Sequence, residues 1–249
     1  MPDESERPSR HLAWQACYNT RDLGGLPAAG GRHTRWRSIV RSDYLNRLTE
    51  VGRQALLAYG VETVVDLRGD HEIAREPAVP IRDGDRVVDY FHRPLDRFEP
   101  EIGALIGRAA SRAEVYCIIL DHYPDAVAGV MRTIVDARPG GIVVHCQGGK
   151  DRTGTIAALL LDLAGVPREI IAVDYAESQE RLRPVDVPIQ AEARQRGETS
   201  FWYRPTVTPD VMTAMLAHVD ARYGGVEAYL RAAGLSAGEV AALKARLLG

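Results

Sequence analysis

GIVVHCQGGKDRTGTIAALLLDLAG, residues Gly141 to Gly165, is the stretch whose reading decides the fold. Its opening, Ile142 to Val144, is a short apolar run of β-branched residues and predicts a buried strand. Its close, Ile156 to Leu163, is apolar and is followed by Gly165 and Pro167, which together stop a helix. The loop between them, Cys146 to Thr153, carries a Cys, two Gly, a Lys and an Arg. A glycine-bearing turn from strand to helix aims backbone N–H groups and a positive helix end at one point, which makes an anion site. Cys146 adds a nucleophile that the helix end and neighbouring cations should hold as thiolate. Arg152, six residues further on, brings a fork of donors to the same oxyanion.

These residue types at this spacing describe thiolate attack on phosphorus. Cys146 would attack in line. The loop from Gln147, Gly148, Gly149 and Lys150 to Asp151 and Arg152 would hold the equatorial oxygens, and Thr153 would donate its hydroxyl to the departing sulfur. No metal or other cofactor is called for, and the His and Cys residues show no metal-ligand spacing. The other two cysteines fail the same test, because Leu23 and Tyr123 stand six residues after Cys17 and Cys117. The plainer reading of Cys146, a small buried hydrophobe at a strand end, accounts for neither the glycines nor the Arg-Thr pair. Lysine occurs only at Lys150 and Lys244 in a chain with 31 Lys plus Arg, so a lysine in this loop departs from the local habit.

HCQGGKDRTG resembles the phosphate-binding loop of the bacterial atypical tyrosine phosphatases. The likeness extends to NTRDLGGLPAAGGRHTRWRSIVRSD (Asn19 to Asp43), VETVVDLRGDHEIAREP (Val61 to Pro77) and RYGGVEAYLRAAGLS (Arg222 to Ser236). The resemblance implies a protein tyrosine phosphatase working through a phosphocysteine intermediate, with phosphotyrosine proteins or phosphoinositides as substrates. It places the acid that protonates the leaving oxygen at Asp96, just past Pro94; an ordinary surface turn is the competing reading. It ties Lys150 to phosphoinositides and makes the C-terminal helices a lid. A phosphoinositide phosphatase on the same site, a phosphate-binding module without turnover and rhodanese-type sulfur transfer are the rivals. The intact Cys146, Arg152 and Thr153 set argues against the binder, and the Arg-Thr pair favours phosphate over sulfur transfer.

Asp151 beside a dianionic phosphate should repel it, unless protonated or turned toward a cation. It is therefore either the general acid, with a raised pKa, or a group that fixes the loop. His145 is expected to hydrogen-bond around the loop. Asp66, at the end of a strand from Val61 to Leu67, reads as an ion-pair member or as a catalytic acid.

Composition sets the bounds. The 249 residues, 45% hydrophobic and 26% charged, match a soluble globular chain with a sizeable core. A net charge of −3 argues against nucleic acid or bulk membrane affinity, and no apolar run reaches the ~20 residues of a membrane span. Three cysteines make no disulfide framework. The N-terminus lacks a secretory signal. A cytoplasmic location is expected, with signal-less export left open by resemblance. Nothing in the sequence fixes an oligomeric state.

Residues 1–10 read as a flexible tail and 11–249 as one phosphatase domain. Arg21 and Asp22 are read as a salt bridge pinning the N-terminus, with a brace for the phosphate loop as the alternative. Arg32, Arg35, Arg37 and Arg41 read as a solvated basic face, with the reception of an anionic substrate as the alternative. Thr49 and Gly60 bound a helix, and Val87 to Phe91 is a strand. Phe98 to Arg138 is largely helical, broken by Gly103, Gly107 and Pro124. A helix follows Pro167 to about Gln179, Arg181 to Pro188 interrupts, and Ile189 to Arg196 resumes. Thr208 opens another helix, and Ser236 with Glu239 boxes the last. Phe201, Trp202 and Tyr203 are read as core anchors in preference to lid tips. Alternating strands and helices, then helices alone, predict an α/β fold: a central, mainly parallel sheet flanked by helices, with extra C-terminal helices.

Overall fold

The computed structural model describes residues 9–97, 99–197 and 207–248. Strands β1 (Arg21–Asp22), β2 (Ile39–Ser42), β3 (Val61–Asp66), β6 (Asp89–His92) and β7 (Gly141–His145) form one sheet in the order β1-β2-β7-β3-β6. β2, β7, β3 and β6 run parallel, and β1 pairs antiparallel at the edge. β4 (Arg82–Asp83) and β5 (Arg86–Val87) make a separate small hairpin. The strand expected over Val87 to Phe91 is thus split between the two sheets.

β7 is buried at every residue, as a central parallel strand must be. Its side chains alternate between two cores: Ile142 and Val144 face one, Val143 the other. The smaller core holds Trp14, Val40 and Val64 with Leu56 and Leu57 of α1 (Glu50–Tyr59). Thr49 caps α1, accepting from the Gly52 amide, and Gly60 ends it at φ 92°.

The larger core receives most of the remaining helices. α2 (Asp70–Arg75) follows β3; α3 (Pro100–Arg108), α4 (Arg112–His122) and α5 (Pro124–Asp136) precede β7. α6 (Asp151–Leu163), α7 (Arg168–Arg181), α8 (Arg183–Gln195), α9 (Pro209–Tyr223), α10 (Val226–Ala232) and α11 (Ala237–Leu247) come after it. Ser236 and Glu239 close the capping box that the sequence predicts for α11. Among the described residues after β7 there is no further strand.

Two predicted breaks are absent. Gly103 and Gly107 lie inside α3, where each costs up to ~1 kcal/mol in propensity, and Ile102 packing into the core offsets that. The interruption expected over Arg181 to Pro188 shrinks to Leu182, and Pro188 sits inside α8. Arg10, assigned to the tail, is docked instead: it pairs with Asp174 and donates to the Asp22 carbonyl at 3.0 Å. Phe201, Trp202 and Tyr203 fall outside the described residues. No helix among the described residues is long and apolar enough to cross a membrane.

The consequence for the site is a shared edge. Register aligns Ser42, His145, Asp66 and His92 across the carboxyl ends of the four parallel strands. Whatever follows each of them in sequence emerges at the same rim, where open α/β sheets bind ligands.

Candidate active site

Cys146 follows β7 directly and is 2% exposed at the base of the loop. Gly149 takes φ 61°, and a Cβ there would lie 2.3 Å from the Ser42 carbonyl oxygen, so only glycine fits this close approach. α6 begins at Asp151, which puts its positive end at the loop. None of the amides from Gln147 to Thr153 has a protein acceptor among the described residues. The loop that follows the thiol is therefore a run of unspent donors.

Arg152 lies within this run. Its two terminal nitrogens fork onto the Glu72 carboxylate, Nη2 to Oε1 at 3.0 Å, and Nη1 lies 3.9 Å from Asp96. That end-on pairing leaves the Nε edge of the guanidinium without a protein acceptor among the described residues. Burial works against the charge on Arg152, but Glu72, the Cys146 sulfur and Asp96 outweigh it and raise its pKa. Glu72 in turn accepts the Gly69 amide at 2.8 Å, so the start of α2 is fixed to the arginine. Sequence reasoning missed Glu72. Its signal was an acid six residues after Asp66 in the segment that carries the family likeness.

The two candidate acids have opposite surroundings. Asp96 is 7% exposed and its Oδ1 has no hydrogen-bond partner among the described residues. Burial pushes its carboxyl up; Arg152 opposes this and Glu72 adds to it. For Asp151 burial also pushes up, yet Lys150, Arg112, the Tyr116 hydroxyl and Arg152 together hold the carboxyl below its usual range. Arg112 Nη1 reaches Asp151 Oδ1 at 3.0 Å, and Tyr116, which donates to the same oxygen, meets Tyr175 of α7 at 2.8 Å. Asp96, Tyr116, Asp151 and Arg152 line one cavity of about 330 Å³, with Ile106 and Ile119 as apolar wall.

The remaining predicted residues are near but differently employed. Thr153 Oγ1 is buried without a partner among the described residues; the expected bond to the Cys146 sulfur is not made in this structure. Lys150 Nζ lies 3.6 Å from Asp186 of α8. His145 is buried, with Nδ1 3.2 Å from the Cys146 carbonyl oxygen and Nε2 3.5 Å from Asp66; burial lowers its pKa. Asp66 accepts from the Arg68 guanidinium and from Tyr90, so it is an ion-pair member. Burial pushes the Cys17 and Cys117 thiols up to about 12 and about 11, which leaves both inert as nucleophiles.

Two readings of the N-terminal arginines are corrected. Arg21 does not pair with Asp22; its Nε donates to Asp174 of α7 at 3.0 Å. Asp22 accepts instead from the Gly24 and Arg37 amides and from Tyr59. Arg41 is no solvated face: it is 1% exposed and bonds Asp174 Oδ2 at 2.7 Å and the Gly149 carbonyl at 2.8 Å. Asp174 gathers Arg10, Arg21 and Arg41, and although burial raises its pKa, those three cations drive it far below the carboxylate range.

The thiol, the unspent amides after it, the Arg152 guanidinium and the raised carboxyl of Asp96 thus belong to one region at the carboxyl rim of the sheet. The chain belongs to the tyrosine phosphatase family, whose model matches residues 12–249. It is 34% identical over 230 residues to the tyrosine-protein phosphatase of Nostoc commune, covering 84% of this chain and 74% of that one. It is 27% identical over 284 aligned positions to the triple specificity protein phosphatase PtpB of Mycobacterium tuberculosis, covering 93% and 97%. It is a protein-tyrosine phosphatase.

Proposed function

We propose that the enzyme hydrolyses phosphomonoesters in two steps through a phosphocysteine. The Cys146 thiolate attacks phosphorus, the P–O bond to the leaving group breaks, and Asp96 gives that oxygen its proton. Water then attacks the phosphocysteine, Asp96 takes a proton from it, and inorganic phosphate leaves with the thiolate restored. The loop amides and the free edge of Arg152 carry the charge on the equatorial oxygens. Asp151 fixes the loop, Thr153 is a donor in reach of the nucleophile's neighbourhood, and His145 holds the strand end. The observation that carries this reading is the run of unspent amides directly after Cys146, with Arg152 pinned beside them by Glu72.

Acid-quenching the enzyme during turnover of ³²P-labelled phenyl phosphate tests it. Label is expected on the peptide containing Cys146, at close to one per enzyme when the second step is slower. Turnover with no covalent label at any quench time would eliminate the two-step route.

Lys150 supports a wider substrate range, because a second cation stands next to the anion site, 3.6 Å from Asp186. The relative named as a triple specificity phosphatase favours the same breadth. Lys150→Ala is expected to lower kcat/KM on a phosphoinositide about tenfold more than on a phosphotyrosine peptide, the size of one or two kcal/mol of lost charge pairing. Equal losses on both would remove the lipid from the range this lysine serves.

A further inference from the structure

A peptide unit is planar and trans, so its C=O and N–H point in opposite directions. In the loop, the Gly148 carbonyl receives Asn19 Nδ2 at 2.9 Å. The Gly149 carbonyl receives Asn19 Nδ2 at 3.1 Å and Arg41 Nη2 at 2.8 Å. Both oxygens are thereby drawn toward β1 and β2. The opposite ends of the same two units are the N–H groups of Gly149 and Lys150, which must turn the other way, and neither has a protein acceptor among the described residues.

We infer that Asn19 and Arg41 are positioning residues that aim the Gly149 and Lys150 amides at the phosphoryl oxygens, with Asp174 as their common anchor. The inference rests on the phosphocysteine reading, since it assigns those amides to a transferring phosphoryl group. Arg41 is buried, with Nη1 on Asp174 and Nη2 on the loop. Asn19 is oriented by the same anchor: Arg21, itself on Asp174, donates through Nη1 to Asn19 Oδ1 at 2.6 Å. An arginine can only donate, so Oδ1 must face it and Nδ2 must face the loop. The Asn19 backbone is fixed as well, its amide donating to the buried Asp43 at 3.1 Å.

Two effects follow. A carbonyl that accepts from a guanidinium polarises its peptide, which makes the Lys150 N–H a stronger donor. Fixed peptides also need no reorientation as charge moves onto the equatorial oxygens, so the benefit falls on the transition state more than on bound substrate.

The test uses Arg41→Lys and Asn19→Ala in the full-length enzyme. It reads kcat and KM on phenyl phosphate, the inhibition constant of orthovanadate, and the thermal midpoint. Removing an oxyanion donor outright costs about 10²–10³-fold in kcat. Misaiming one should therefore cost about 10- to 100-fold, with vanadate affinity falling in parallel and KM moving little. Folded variants with wild-type kcat and wild-type vanadate affinity would overturn the inference, whatever their thermal midpoints. Should Arg41→Lys fail to fold, Asn19→Ala decides alone, because it leaves Asp174 with all three arginines. The foundation is checked separately: absence of phospho-Cys146 in the wild type sinks the two-step reading, whereas its presence with Asn19→Ala at full rate sinks only the positioning role.

Discussion

Cys146→Ser is expected to reduce kcat on p-nitrophenyl phosphate by at least about 10⁴-fold, the scale of losing a nucleophile that acts as part of a unit. Serine's hydroxyl occupies nearly the same volume but is not ionised near neutrality, so attack on phosphorus loses its driving charge. The amides, Gly149 and Arg152 are untouched, and inorganic phosphate should still bind. That pairing of lost turnover with kept binding separates a nucleophile from a structural cysteine. A variant within about tenfold of wild type would mean that sulfur does not carry the reaction.

The second large effect distinguishes the two aspartates. Asp96→Asn is expected to cost about 10²–10⁴-fold on phenyl or alkyl phosphates, whose leaving oxygens need a proton, and little on p-nitrophenyl phosphate, whose leaving group does not. Asp151→Asn should lower both classes alike, because it loosens the loop that Arg112 and Tyr116 hold. The pH profile carries the same distinction. An acid works only while protonated, so the rate on phenyl phosphate should fall as pH rises through the Asp96 pKa. Burial places that pKa above the usual aspartate range. Glu72→Gln removes a like charge from beside Asp96, lowers its pKa, and should move this alkaline limb to lower pH. Asp151, held below its ordinary range, is already ionised there and offers no such limb. An Asp151→Asn variant that alone lost rate on phenyl phosphate while keeping it on p-nitrophenyl phosphate would exchange the two assignments.

The sequence was most informative where chemistry and backbone coincide. Cys146, the loop glycines and Arg152 are contiguous, so a strand-turn-helix signature and a reactive residue could be read together. The mainly parallel sheet and the capped helices α1 and α11 were likewise legible, because caps and apolar periods are local. Side chains whose partners lie far off in the chain were not. Arg41 looked solvated because its counter-charge, Asp174, stands 133 residues away, and its second partner is a carbonyl. Glu72 stands in a segment that carries the family likeness, but only the fold brings it to Arg152. The glycines of α3 follow the same rule, since packing at Ile102 offsets a local propensity of up to about 1 kcal/mol.

The three-arginine cluster on Asp174 also bears on how the enzyme comes into being. Residues 10, 21 and 41 are made early, yet the carboxylate with which all three pair arrives only with α7, after Cys146 has been synthesised. A nascent polypeptide that has passed the loop but not Asp174 has every strand of its sheet, yet still lacks the carboxylate on which Arg21 and Arg41 rest.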